Sequence, residues 1–425
     1  MAIATLSQGI AVDPEAPYPV PRTYAWIVFA MTFGLMLSDY LSRQVINAVF
    51  PFLKTEWALT DTQLGSLVSV VALTIGVMSI PVSILADRFG RVRSAAAMAL
   101  VWALATIACG MAESFTSLVI ARAFVGLGEA GYGSAGAAIL TRVFPARLHA
   151  TAMGSFLAAG MIGSMLGVVL GGVIAQALGW KVAFLVMGTF GLVLAALFPV
   201  LVKEQTDDSA SVQTKVPVGQ VLGQLVRTPT LLLVALGGAC TMFAQTAFIA
   251  WLPSYLNRFY GLEPGKASMG TGVLIICISL GMIIGGGLAD RFSRRNPLRR
   301  LHIVMTYGAL MGCALLLAFR FGPGTSQFLL IALGLLVSTG FLGPALAVAA
   351  DVTPPAAHAT AFAILALAYM LLGGAPGPLV VGRLADVMGL DRALSIVPVA
   401  SLLGGGFFYL ASTRYLQDRA KVRGA

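Results

Sequence analysis

Apolar residues along this chain do not alternate with polar ones; they run together in long blocks. Twelve blocks, each with about 20 or more mainly apolar residues, are separated by short polar segments. The first is Tyr24–Phe50, the fourth Phe115–Val143, the tenth Gln327–Ala350 and the last Arg392–Ser412. About 20 residues is the length at which an α-helix crosses a hydrocarbon layer. Lipid offers backbone groups no partner outside their own helix, so each block predicts a membrane-spanning helix. The longest internal polar stretch, Lys203–Arg227, holds Glu204, Asp207, Asp208, Ser209 and Ser211, and it separates six blocks from six. The expected organisation is a tail over 1–23, a six-helix bundle over 24–203, a linker over 204–227, a second bundle over 228–413 and a tail over 414–425.

The two halves repeat one another. Leu85-Ala86-Asp87-Arg88-Phe89 follows the second block and Leu288-Ala289-Asp290-Arg291-Phe292 follows the eighth, identical and 203 positions apart. A duplicated set of six spans is the organisation of carriers whose halves rock around a site between them. The fold class is therefore an all-α membrane protein, with twelve transmembrane helices in two pseudo-symmetric six-helix bundles.

Composition agrees. Of the 425 residues, 58% are apolar and 10% charged, against about 25% charged in a soluble domain. The 48 glycines suit helices that approach closely in lipid. Cys109, Cys240, Cys277 and Cys313 all lie in apolar blocks and read as small packing residues, with no disulfide framework and no metal site. The net charge of +10 does not point to nucleic acid, because the basic residues gather in short loops. Eighteen of the 27 fall in the tails and loops on one side, seven on the other, and Arg43 and Arg122 lie inside spans. The basic-rich side is cytoplasmic by the rule for loop charge, which places both termini in the cytoplasm, in a bacterial inner membrane. The segment before Tyr24, with Asp13, Glu15 and several prolines, lacks the pattern of a cleaved signal and is expected to be retained.

An ionisable side chain in mid-membrane costs about 2.5–3.5 kcal/mol on insertion scales and marks a functional candidate. Asp39 and Arg43 are four apart and can pair on one helix face; Arg122 and Glu129 are seven apart and share another. Arg43 and Arg122 are candidates to hold an anionic group, since guanidinium presents a planar fork of donors. Glu129, with Asp39, is the candidate for exchanging a proton during transport. The competing reading makes these groups ion pairs that lock helices together. The second half is nearly free of mid-span charge. Its polar candidates are Gln245, Thr246, Tyr255, Asn257, Ser338, Thr339 and Tyr369; of these Gln245 and Tyr369, with Tyr132 from the first half, are assigned to substrate binding. Such asymmetry suits an amphiphile, its charged head on the first half and its apolar part on the second. Pro253, Pro344, Pro376 and Pro378 are expected to kink their helices. His149, His302 and His358 assemble no site and read as loop-end residues.

Asp87-Arg88-Phe89-Gly90-Arg91, with its second copy at Asp290-Arg291, resembles the loop signature of the major facilitator superfamily. The opening glycine of that signature is Ser83 in the first copy and is kept as Gly286 in the second. The fifth block carries Gly160, Gly163, Gly167, Gly171 and Gly172 and then Gly179-Trp180-Lys181, also similar to that superfamily. The run from Arg122 through Gly126, Gly128, Glu129, Ala130 and Gly131 to Tyr132 resembles the fourth-helix motif of Spinster-like transporters, and Asp39–Gln44 their first-helix motif. Both are similar, less closely, to organic anion symporters of the sialin and sugar-acid type. Spinster-like proteins usually carry an acid just before the first-helix arginine; here that position is Ser42, and the nearest acid is Asp39, one turn earlier. The resemblance implies a secondary transporter working by alternating access, coupled to protons, for an anionic or zwitterionic amphiphile such as a lysolipid. The alternative is a proton symporter of small organic acids. It also implies a gating role for Asp87, Arg88, Arg91, Asp290, Arg291 and Arg294, the aspartates capping neighbouring helices and the arginines adding ion pairs. A membrane-embedded enzyme would need a catalytic constellation at membrane depth, and none is visible. No nucleotide-binding motif or cofactor site is present. The implied partners are the substrate, protons and the bilayer, with a monomer sufficient because each half completes the other.

Overall fold

The computed structural model describes residues 18–204, 228–294 and 296–423, and its regular structure there is entirely helical. The first half comprises α1 (Arg22–Glu56), α2 (Asp61–Phe89), α3 (Arg91–Gly110), α4 (Phe115–Glu129), α5 (Tyr132–Val143), α6 (Ala146–Leu178) and α7 (Trp180–Leu201). The second comprises α8 (Pro229–Tyr260), α9 (Pro264–Ser293), α10 (Arg299–Ala318), α11 (Thr325–Val337), α12 (Leu342–Asp351), α13 (His358–Ala368), α14 (Pro376–Met388), α15 (Leu390–Ile396) and α16 (Pro398–Arg423). Among the described residues, eleven helical segments are long and apolar enough to cross a membrane. The remaining span is α4 with α5, interrupted at Ala130-Gly131. The tenth span is interrupted likewise, between α11 and α12 at 338–341. Glycine weakens a helix interior, and Gly131 and Gly340 sit in these two breaks. The eleventh span passes through a π-helical segment, Tyr369–Gly374, just before Pro376.

The last helix runs on to Arg423, through the stretch expected to be a tail. Asp418 near its end accepts from the backbone N and Oγ1 of Thr230, at 3.1 and 2.8 Å, and so caps the start of α8. The linker lies outside the described residues apart from Glu204. The glycine ladder sets how closely two helices pack. A methyl group on Gly163 or Gly167 of α6 would strike the carbonyls of Leu37 or Leu41, at 2.5 and 2.8 Å. Only glycine lets α6 lie this close to α1.

Twelve crossings bring both described ends to one side of the bundle, here the termini face; the opposite side is the far face. At the far face the halves interlock. Asp386 at the end of α14 accepts from the backbone N of Asp61 and Thr62 at the start of α2, at 2.7 and 2.8 Å. The related position 210 residues earlier, Gln176 at the end of α6, accepts from the backbone N of Gly265 at the start of α9, at 2.7 Å. Thr62 and Gly265 are themselves 203 apart, so one capping contact is made twice across the pseudo-symmetry. Both capping helices then turn at a glycine with positive φ, Gly179 at 94° and Gly389 at 87°. Arg258 of α8 adds a two-pronged ion pair to Asp61, at 2.8 and 2.9 Å, which Lys54 joins at 2.6 Å. Phe50 packs on Trp251 with centroids 5.2 Å apart.

The termini face differs. A cleft of about 590 Å³ opens there between α6 and α9, lined by Leu157, Met161, Met165, Ile276, Leu280 and Met282 among others. Arg88, Asp290, Arg291 and Arg294 are exposed, and no ion pair joins them to the other half among the described residues. The bundle is closed at the far face and open at the termini face.

Candidate functional site

Four ionisable residues meet halfway along the first and fourth spans. Asp39 and Arg43 are one turn apart on α1 and pair at 3.2 Å, from Nη2 to Oδ1. Glu129 is the last residue of α4, where the helix breaks. Its Oε2 accepts from Arg43 Nε at 2.9 Å, and its Oε1 is buried without a hydrogen-bond partner. Arg43 thus lies between two carboxylates. The side chains of Glu129 and Asp39 are 0% and 4% exposed, whereas that of Arg43 is 21% exposed, so Arg43 is the member a solute reaches first. Its guanidinium also lies over the Tyr40 ring, 4.7 Å from the centroid.

Arg122 does not pair with Glu129, although one helix face carries both. It is wholly buried, and its Nε, Nη1 and Nη2 donate to the carbonyls of Leu67, Ser42 and Arg43 at 3.2, 3.1 and 3.1 Å. No carboxylate oxygen lies within ion-pair distance of it among the described residues. Its planar fork ties α4 to α1 and α2 and grips the backbone of the residue that carries the exposed guanidinium. Ser42, the position of the missing acid, contributes a carbonyl to Arg122 and leaves its own hydroxyl unpaired.

Tyr132 is fully buried. Its hydroxyl donates to the Thr32 carbonyl at 2.8 Å, and its ring meets Trp102 edge to face at 5.1 Å; this geometry joins α5 to α1 and α3 and leaves no face for a solute. Gln245 is 6% exposed and its amide makes no hydrogen bond among the described residues, so it keeps its donors and acceptor available. Tyr369 opens the π segment with its hydroxyl buried and unpartnered, its ring edge to face on Phe341 at 5.6 Å. Tyr255 belongs instead to a far-face network with Gln327 and Asp391.

The side chain of Asp87 lies outside the described residues, and Asp290 is exposed and caps no helix among the described residues. The carboxylate at the start of α3 belongs to Glu204, which accepts from the backbone N of Arg91, Val92 and Arg93 at 2.9, 3.0 and 3.2 Å. Sequence reasoning placed Glu204 only in the linker. His149 and His358, 209 apart, each bond the carbonyl five residues earlier, of Phe144 and Thr353, at 2.8 and 3.1 Å. They brace the same chain reversal in both halves.

Twelve spans, a duplicated signature loop and a charged cluster at mid-depth in the first half define a solute carrier. The Major Facilitator Superfamily profile matches residues 32–378, and the chain belongs to that superfamily. It is a transporter, not an enzyme. An efflux pump of the same superfamily from Mycolicibacterium smegmatis is 31% identical over 408 residues, 93% of this chain and 94% of the pump. The sphingosine-1-phosphate transporter SPNS2 of Mus musculus is 26% identical over 90% of this chain and 76% of its own length. A crystal structure of a bacterial homologue of the human lysosomal transporter Spinster, inward-facing and unoccupied, superposes with a TM-score of 0.82 at 22% identity, covering 94% of this chain and 99% of that one. Spinster-like proteins are thus among its relatives, as are sugar-acid carriers such as the hexuronate transporter of Escherichia coli, at 25% identity.

Proposed function

We propose that this chain is a proton-coupled secondary transporter that moves an anionic or zwitterionic amphiphile, such as a lysolipid, by alternating access. The observation that carries the reading is Arg43 held between Asp39 and Glu129 in mid-span, with Arg43 alone reachable. Two guanidiniums, Arg43 and the wholly buried Arg122, balance the two carboxylates, and buried charges are stable only while they are matched. Protonation of Glu129, whose Oε1 is unpaired, removes one carboxylate's charge from Arg43. The guanidinium then has donors to offer an anionic head group, so proton and substrate are coupled through one side chain. Arg122 serves this cycle by holding the backbone of Arg43 rather than by touching the solute. Gln245 and Tyr369, whose side chains make no hydrogen bond among the described residues, are the polar contacts assigned to the solute from the second half. The apolar cleft between α6 and α9 favours an amphiphile, since it offers the apolar part of a solute an apolar surface on the open side of the bundle.

The loop charges support cytoplasmic placement of the termini face in a bacterial inner membrane, which makes the observed state inward-open. In the cycle, the signature-loop residues Asp87, Arg88, Arg91, Asp290, Arg291 and Arg294 come together when that face closes. One chain is sufficient for the cycle, because its own two halves meet at the far face and can rock about that contact. The likeness to sugar-acid carriers supports a second reading, symport of small organic acids. Proteoliposomes loaded with a pH dye separate the two. Movement of lysophosphatidylglycerol that depends on the pH gradient, with no acidification by pooled small carboxylates, supports the amphiphile. Acidification by the carboxylates, with no lysolipid movement, establishes the acid symporter instead.

A further inference from the structure

Outside the assigned charges, the Arg43 guanidinium lies over the ring of Tyr40. We propose that Tyr40 is a positioning residue: its ring, seated on α6 at Gly160, holds the Arg43 guanidinium against Glu129 and thereby sets the pH at which the cluster releases Arg43. This rests on the proton reading above.

Three observations meet at this ring. The Arg43 guanidinium carbon lies 4.7 Å from the ring centroid, a cation–π distance. The ring is seated from behind, for a methyl group on Gly160 would come within 2.9 Å of its edge, and one on Gly163 within 3.0 Å of its Cβ. Its hydroxyl makes no hydrogen bond among the described residues, so the ring face rather than the phenol oxygen is what the fold uses. The order of contact from α6 to α4 is then glycine, ring, guanidinium and carboxylate. Arg43 is faced by Asp39 and Tyr40 from α1 and by Glu129 from α4, while Arg122 of α4 holds its backbone carbonyl. Facing the ring, α6 supplies Gly160 and Gly163 and has no ionisable group between Ala150 and Leu178. The fifth-span glycines therefore do more than allow close packing: one of them fixes how far the ring stands from the helix. A ring pushed off or removed leaves Arg43 free to swing away from Glu129, and a carboxylate with a looser cation takes up a proton at higher pH.

The test is infrared titration of the protonated-carboxyl band in the purified protein, which reads the cluster without any substrate. Glu129→Gln identifies the band. Tyr40→Phe, which keeps the ring, is expected to titrate as the native protein does. Tyr40→Leu, which removes the ring, is expected to move the midpoint alkaline by about one unit, a tenfold change in proton affinity. Gly160→Ala, which keeps Tyr40 but displaces it, is expected to move it the same way by less, and it serves if Tyr40→Leu does not fold. An unmoved midpoint in both Tyr40→Leu and Gly160→Ala would overturn the proposal and leave Tyr40 a packing residue. A shift in Tyr40→Phe equal to that in Tyr40→Leu overturns it too, since the hydroxyl would then be the active part. A band that Glu129→Gln leaves in place overturns the proton reading itself, and this inference with it.

Discussion

The fourth and tenth spans are the same device built twice, yet only one of them carries charge at its break. Each is two short helices with a break at matching depth. Glu129 ends the first piece of the fourth span, and Thr339, 210 positions later, lies in the break of the tenth. Glu129 reaches α1 and binds Arg43; Thr339 donates only to the Ile278 carbonyl on α9, at 2.8 Å. At the far face the distribution reverses. The second half caps its neighbour with the carboxylate of Asp386, the first half with the neutral amide of Gln176. A duplicated fold thus has two equivalent places for each role, and this chain places titratable chemistry in the centre of one half and a charged latch at the rim of the other. Mid-membrane charge is expensive, and one titrating cluster is enough to couple a cycle.

That contrast can be broken in order of effect. Glu129→Gln is expected to abolish accumulation driven by a pH gradient, at least tenfold, while substrate exchange across proteoliposomes persists; gradient-driven accumulation at native rates would remove Glu129 from the mechanism. Arg122→Met comes next. Three carbonyls lose their shared donor, and loss of a buried charge network costs about 3–5 kcal/mol, so a large fall in melting temperature in detergent is expected. Arg122→Lys should recover little of it, because one ammonium cannot replace the fork. A native melting temperature with weakened binding would return Arg122 to the solute.

Asp386→Asn retains one acceptor for two N–H groups and loses the charge at the start of α2. Caps of this kind are worth about 1 kcal/mol, so far-face cysteine labelling should rise about fivefold. Gln176→Ala removes the neutral twin and should raise labelling less. The amide of Gln176, with Lys266, also holds the exposed Glu263 carboxyl below its ordinary range, so Gln176→Glu would set two carboxylates face to face and open the rim further than Ala does. Smallest is Thr339→Ala, which removes one neutral hydrogen bond of about 1 kcal/mol and should leave the pH profile unchanged. A shifted profile there would mean that both breaks take part in coupling.

Much of the architecture was legible in the residue order. Twelve apolar blocks became twelve spans, although the blocks gave no sign that the fourth and tenth would each be two helices. The i, i+4 spacing of Asp39 and Arg43 announced their pairing, because both lie on one helix. The spacing of Arg122 and Glu129 was as regular but told less, since sharing a face of α4 says nothing about which neighbour each end of that face meets. Tyr40, Glu204, Asp386 and Gln176 drew no notice as site or latch residues: a tyrosine, an acid in a polar linker and polar residues at helix ends are unremarkable until their targets are known.

The sequence by itself determined the class, the number of spans, the duplication and the short list of groups that can hold charge in lipid. Those properties are local, for a helix in hydrocarbon must satisfy its own backbone and clothe itself in apolar side chains wherever it packs. Only the tertiary structure decided the partners: Glu129 with an arginine 86 positions away, Asp386 with a helix start 325 positions away, and Arg122 with three carbonyls rather than a carboxylate. Electrostatic and hydrogen-bond energies fall steeply with distance, so the choice among chemically equivalent partners is made by a few ångströms that no linear spacing contains.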